Sequence, residues 1–291
     1  MLRAAGERWH FAGYSRAQEA PKARFTQLRT IDHLARVVPL SPVRRQLLVK
    51  DLKIFLRDVS QWSQLLLLLA LVLVYLYNFR VLDLDRIPYM SGYIKNVYAF
   101  VNLGMAGFVM ATICARFVCP AVSSEGNDFW IIRTAPISFA DFLWSKFWIG
   151  LVPVLLLTEG LVIAANELLG VDPFLKLVAA AAIVFLSFAL VGLATGLGAR
   201  YPRFGADASQ AAGSYGGIAF MILAVMLIIV SIVLVGWPSA IYMNRTLRGV
   251  PLRTEHLLQI GGGYTAAVVV MLTTWWLGMR SGIRALNDLD R

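Results

Sequence analysis

The chain has 291 residues, 58% of them hydrophobic and only 15% charged, with a formal net charge of +10. Soluble domains run about 45–50% apolar and about 25% charged, so a mean hydropathy of +0.67 excludes an ordinary soluble enzyme and points to lipid. Apolar runs of roughly 20 residues, each able to span the hydrocarbon core, recur from Trp62 onward and leave little room for a second soluble domain.

Residues 1–40 read as a basic cytoplasmic N-terminal arm, and 41–61 as an amphipathic interfacial helix. Together, residues 1–61 hold twelve bases, from Arg3 to Arg57, against five acids. A positive block before a first spanning helix is a cytoplasmic flank drawn to anionic headgroups. The aromatics among these bases (Trp9, Phe11, Tyr14, Phe25, Phe55) form no stacking motif, so no nucleic acid is expected as a partner. After the break at Pro39 to Pro42, Leu47, Leu48, Leu52, Phe55 and Leu56 recur at roughly helical spacing among bases, which suits a helix lying on the membrane surface.

Residues 62–291 carry six apolar segments, at roughly 62–79, 97–119, 147–166, 174–198, 216–237 and 261–283. The expected fold is an all-α polytopic membrane protein with about six transmembrane helices. The first segment is leucine-dominated, with Tyr75, Tyr77 and Phe79 where an outer aromatic belt would fall. In the fourth, Gly192 and Gly196 have the G-x-x-x-G spacing that permits close helix–helix approach in lipid. Basic residues flank the first helix (Arg44, Arg45, Lys50, Lys53, Arg57), the 2–3 connection (Arg116, Arg133, Lys146), the 4–5 connection (Arg200, Arg203) and the tail (Arg280, Arg284, Arg291). This places both termini in the cytoplasm. Arg245, Arg248 and Arg253 in the 5–6 connection run against that orientation.

Catalytic inventory is thin. The histidines His10, His33 and His256 all lie outside the predicted spans, so a membrane-embedded Ser/His hydrolase or a His-ligated metal lacks its parts. Cys114 and Cys119 have no nearby third ligand and read as small apolar fillers. No catalytic, cofactor or metal residues are therefore assigned. No G-x-x-x-x-G-K-[ST] sequence occurs, and the expectation is a protein without its own nucleotide-binding motif. Glu159 falls inside the third predicted span, where an ionised carboxylate is costly and faces a partner or a water-filled path. It is a candidate for an intramembrane substrate path; the alternative is an acid near the outer interface bonded to a neighbouring helix or water.

The connection at about 120–146 is the most informative stretch. Ser138, followed by Asp141 at the third helical position, reads as an N-cap for the helix entering through Trp144 and Lys146. Glu125 to Arg133 would form a short surface helix with Phe129, Trp130 and Ile131 available to dock.

Glu125-Gly126, Ile131-Ile132-Arg133, Pro136-Ile137-Ser138 and Lys146, in that order, resemble the 2–3 connection of type-2 ABC exporter permeases. Lys50-Asp51-Leu-Lys-Ile-Phe-Leu-Arg-Asp58, Gln61-Trp62-Ser63-Gln64, Tyr75-Leu-Tyr-Asn78, Phe129-Trp-Ile-Ile-Arg-Thr-Ala-Pro-Ile-Ser138 and Tyr201-Pro-Arg-Phe204 are similar to one subfamily of such permeases. The likeness covers roughly residues 40–235. Members with a further membrane block upstream are longer, and Ala12-Gly-Tyr-Ser-Arg-Ala-Gln-Glu-Ala20 looks like the sequence between their two blocks. The chain thus resembles the C-terminal half of a longer member.

The resemblance implies a membrane-spanning permease subunit of an ATP-binding-cassette exporter in the cell inner (plasma) membrane. A separate ATPase subunit would hydrolyse ATP, so no cofactor is expected on this chain. Expected partners are that ABC ATPase, a second permease half or a second copy, and membrane lipids. Glu125, Gly126, Phe129, Trp130, Ile131, Arg133, Pro136, Ser138 and Lys146 would couple to the ATPase. A non-transporting membrane scaffold or assembly subunit is the alternative.

Overall fold

The computed structural model describes residues 42–57, scattered positions between 66 and 77, 91–135, 137–204, 213–247, 249, 251 and 253–289. The arm expected over residues 1–40 lies outside them, and so does most of the first predicted span. The chain divides into two compact units, Met1–Lys53 and Ile54–Arg291. In the first, the described residues belong to the start of helix α1 (Pro42–Arg57), where Lys50 and Asp51 pair at 3.5 Å.

The second unit is all-helical among the described residues. After the end of α1 come α2 (Ser91–Ile113), α3 (Phe129–Thr134), α4 (Phe139–Leu169), α5 (Pro173–Arg200), α6 (Tyr215–Leu247) and α7 (Thr254–Asp288). Among the described residues, five helical stretches are long and apolar enough to cross a membrane, from Val97–Gly126 through Thr254–Asp288. Positions 66, 69, 70, 72–74, 76 and 77, within the expected first span, are also helical.

The helices outrun the apolar segments that announce them, because hydropathy marks hydrocarbon depth while caps decide where a helix stops. The Ser138 side chain accepts a hydrogen bond from the Asp141 N–H at 3.1 Å and starts α4 at the cap expected for it, ahead of the apolar segment that begins near 147. Gly170, at φ 62°, closes α4 in the left-handed conformation, its N–H bonded to the Asn166 and Glu167 carbonyls. Pro173 then opens α5, where its missing N–H costs nothing. The same extension leaves a short 5–6 connection: Arg245 lies on α6, Arg253 immediately precedes α7, and Arg248 is outside the described residues.

Helix α5 packs against α2, α4, α6 and α7. Its Gly- and Ala-rich sequence suits this central place, since small side chains let backbones approach where lipid supplies no hydrophobic drive between helices. On α5, Gly192 and Gly196 meet Gly278 and Gly282 of α7. A Cβ added at Gly196 would lie 2.0 Å from the Gly278 carbonyl oxygen, and one at Gly282 2.9 Å from the Gly196 Cα. Phe142, Phe147, Leu190, Ile228 and Met110 fill the core around this seam. Buried hydroxyls are satisfied within their own helices, as at Ser187 to the Ile183 carbonyl (2.8 Å) and Ser231 to the Leu227 carbonyl (2.7 Å). Between helices, Ser239 of α6 and Tyr264 of α7 share a 2.8 Å hydrogen bond.

Candidate functional site

The stretch between α2 and α4 leaves regular helix in steps. Past Ile113 the helix widens into one π turn, Cys114–Val118, where the Cys119 N–H reaches the Cys114 carbonyl, and then tightens into 3₁₀ turns through Cys119–Ala121 and Ser123–Asp128. Both cysteines are buried and unpaired. Gly126 breaks the second 3₁₀ turn at φ 55°, ψ −135°, a conformation open essentially to glycine. The six-residue helix α3 follows and ends before the Ser138 cap.

The side chains divide into inward anchors and an outward face. The Glu125 carboxylate accepts a charge-assisted hydrogen bond from the Lys146 ammonium of α4, and both side chains are nearly enclosed. Lys146 also lies 5.4 Å from the centre of the Phe142 ring. Phe129 is half-buried, stacked on Phe204 at 4.5 Å and on Phe139 at 6.3 Å, with Phe142 edge-on at 6.1 Å. Ile132 is buried. Facing outward, Trp130 is 63% exposed and Ile131 51%, and Arg133 is exposed beside them. Pro136 lies outside the described residues.

The structure therefore gathers Glu125, Phe129 and Lys146 into a base and leaves Trp130, Ile131 and Arg133 as a surface, where the sequence alone offered one undivided set. It also adds two residues that sequence reasoning missed as partners of this connection. Phe204 stacks on Phe129, and the Arg203 N–H donates to the Ser123 hydroxyl at 3.1 Å. The signal for this was the pair of motifs Phe129-Trp-Ile-Ile-Arg and Tyr201-Pro-Arg-Phe204, which stand side by side in space. Close contact of Gly198 with the Cys119 carbonyl fixes the same junction: a Cβ there would sit 2.0 Å from that oxygen.

This end of the second unit collects the start of α4 and the ends of α5 and α7, as the Leu143–Gly282 and Gly196–Gly278 approaches require. It carries Arg116, Arg133, Lys146, Arg200, Arg203, Arg280 and Arg284. At the other end, Glu167 pairs with Lys176 at 2.7 Å and Tyr242 reaches Asp172 at 3.5 Å. Glu159 is half-buried within α4, and its Oε2 is enclosed with no hydrogen-bond partner among the described residues.

Residues 2–291 match a family model described as "Putative ATP-binding cassette", and the chain belongs to this ATP-binding-cassette family. No curated protein and no solved structure matches it. The family's description names a nucleotide-binding element, and this corrects the expectation of a protein without its own nucleotide-binding motif. The physical reason is that one loop motif is not the whole of phosphate binding. The missing G-x-x-x-x-G-K-[ST] rules out one loop that cradles phosphates through its backbone N–H groups, and backbone N–H groups can meet phosphates without that sequence.

Proposed function

We propose that this member of the ATP-binding-cassette family is the membrane-spanning permease of an exporter, and that an ATP-binding-cassette subunit seats on the connection between α2 and α4. The observation that carries the reading is the division of that connection into a rigid base and an apolar outward face. Trp130 and Ile131 stand exposed on α3, while the Glu125–Lys146 ion pair and the Phe129–Phe204 stack tie α3 to α4 and to the segment after α5. Large exposed aromatics with a flanking arginine are the composition of an interface anchor. A partner moving α3 as ATP binds would thereby move the spanning helices as bodies, a two-state switch biased by nucleotide.

The cationic end, including Arg133, Arg200, Arg203, Arg280 and Arg284, is assigned to the cytoplasm of the cell inner membrane, with both termini on that side. The exporter works with a second permease half or a second copy. We assign Glu159 to the substrate path; the reading is supported by an enclosed carboxylate oxygen with no partner among the described residues. Co-expression with an ABC ATPase followed by affinity purification tests the reading: the ATPase is expected to co-purify and to hydrolyse ATP faster in the complex. A stably folded protein that neither retains an ATPase nor changes its rate would favour a scaffold.

A further inference from the structure

Beside the central seam, at the arginine-rich end, α4 and α7 leave a cavity of about 440 Å³ between them. It lies within the size range of ligand sites, ~300–1,000 Å³. Its walls are Trp144 of α4 with Trp275, Met279 and Ile283 of α7, and Trp276, Arg280 and Arg284 complete it. On α7 these form two adjacent stripes of i, i+4, i+8 spacing: Trp275–Met279–Ile283 supplies an apolar wall, and Trp276–Arg280–Arg284 an aromatic ring followed by two guanidiniums.

The chemistry changes along the groove in the order that a phospholipid does. Towards the middle of α7, Val269, Leu272, Trp276 and Leu277 are exposed, a surface for acyl chains. The tryptophans then lie where an interfacial belt would. One turn further, the Arg280 guanidinium sits 4.7 Å from the centre of the Trp276 ring, which fixes it at the mouth of the cavity. Arg284 follows on the same face. No described carboxylate lies within ion-pairing distance of either arginine. Two adjacent guanidiniums above an apolar slot, with no described carboxylate paired to them, are complementary to a phosphate whose charge is not balanced by an ammonium.

We propose that this groove binds one anionic glycerophospholipid, its phosphate held between Arg280 and Arg284 and its upper acyl chain lying along Trp144 and Trp275. The bound lipid acts as a wedge between α4 and α7 and so touches α4, the helix on which Lys146 anchors the connection. Lipid binding is separate from seating of the ATPase, and each can fail without the other.

The test is native mass spectrometry of the purified full chain, equilibrated in detergent with equal amounts of phosphatidylglycerol and phosphatidylcholine. One phosphatidylglycerol per chain is expected to be retained in preference. Arg280→Gln with Arg284→Gln should lower that preference roughly thirtyfold, the scale of two lost basic contacts near a membrane surface. Arg200→Gln with Arg203→Gln, equal in charge removed, should leave it unchanged, and the melting temperature of each variant controls for folding. Equal retention of the two lipids, or an equal loss in both double variants, would overturn the site in favour of diffuse surface charge. Efficient disulfide-linked dimerisation of a Trp276→Cys variant in the membrane would place a second copy over the groove and overturn it as well.

Discussion

Glu125 and Lys146, 21 residues apart in sequence, form an ion pair whose side chains are only 9% and 7% exposed. The pair joins the Glu-Gly turn before α3 to the second turn of α4. Removing one member of a buried pair strands the other charge, which typically costs about 3–5 kcal/mol, whereas removing both can be nearly neutral. Glu125→Gln and Lys146→Met should each lower the melting temperature of the purified protein markedly, and the double variant should regain most of the loss. Strictly additive losses would show that the two side chains do not act together.

As a surface contact, Glu125 could be charge-reversed without unfolding; as half of an enclosed pair, it cannot. The residues that can be changed without loss of fold are Trp130 and Ile131.

At the seam of α5 and α7 the expected effect is steric. A Cβ at Gly196 would sit 2.0 Å from a backbone oxygen of Gly278, which no side-chain rotation relieves. Gly196→Ala should therefore destabilise by at least the ~1–3 kcal/mol of an overpacked core. Gly160→Ala on α4 meets open space and should be neutral or slightly stabilising, since Ala is the better helix former by roughly 0.5–1 kcal/mol. Thermal unfolding in detergent compares the two directly.

Gly126 isolates backbone conformation from packing, because a Cβ there would touch nothing. Its φ of 55° with ψ of −135° predicts a cost of about 1–3 kcal/mol for Gly126→Ala. Limited proteolysis of the 120–138 segment should accelerate in this variant, while the α5–α7 seam stays protected.

The Ser138 cap gives a smaller effect of known size. Loss of its hydrogen bond to the Asp141 N–H in Ser138→Ala should cost ~0.5–2 kcal/mol, and Ser138→Asp should restore most of it. Thermal melts of the two variants check this.

The membrane class and all-helical fold were legible in the sequence because long apolar runs report burial in lipid directly. Helix ends were legible where a cap marks them, as Ser138 does for α4, and less so where only the end of an apolar run was available, as at the close of α4 on Gly170. Gly192-x-x-x-Gly196 is legible on α5, whereas its counterpart Gly278-x-x-x-Gly282 is masked in the sequence: Arg280 stands between those glycines and gives the segment the look of a polar tail. The Glu125–Lys146 pair is a tertiary fact. Nothing in the spacing of two charges separated by α3 and a cap says that both turn inward, so sequence reading set them among the outward contacts with Trp130 and Arg133. Likewise, Tyr201-Pro-Arg-Phe204 reads as a connection until Phe204 is found stacked on Phe129.

The most direct measurement of the central claim is ATPase association by a variant that changes only the outward face. Trp130→Ala with Ile131→Ala removes the two exposed side chains of α3 and leaves Glu125, Phe129, Ile132 and Lys146 in place. The protein should keep its melting temperature, yet lose retention of a co-expressed ABC ATPase and any stimulation of ATP hydrolysis. Full retention and stimulation by this folded variant would contradict the assignment of α3 as the coupling surface.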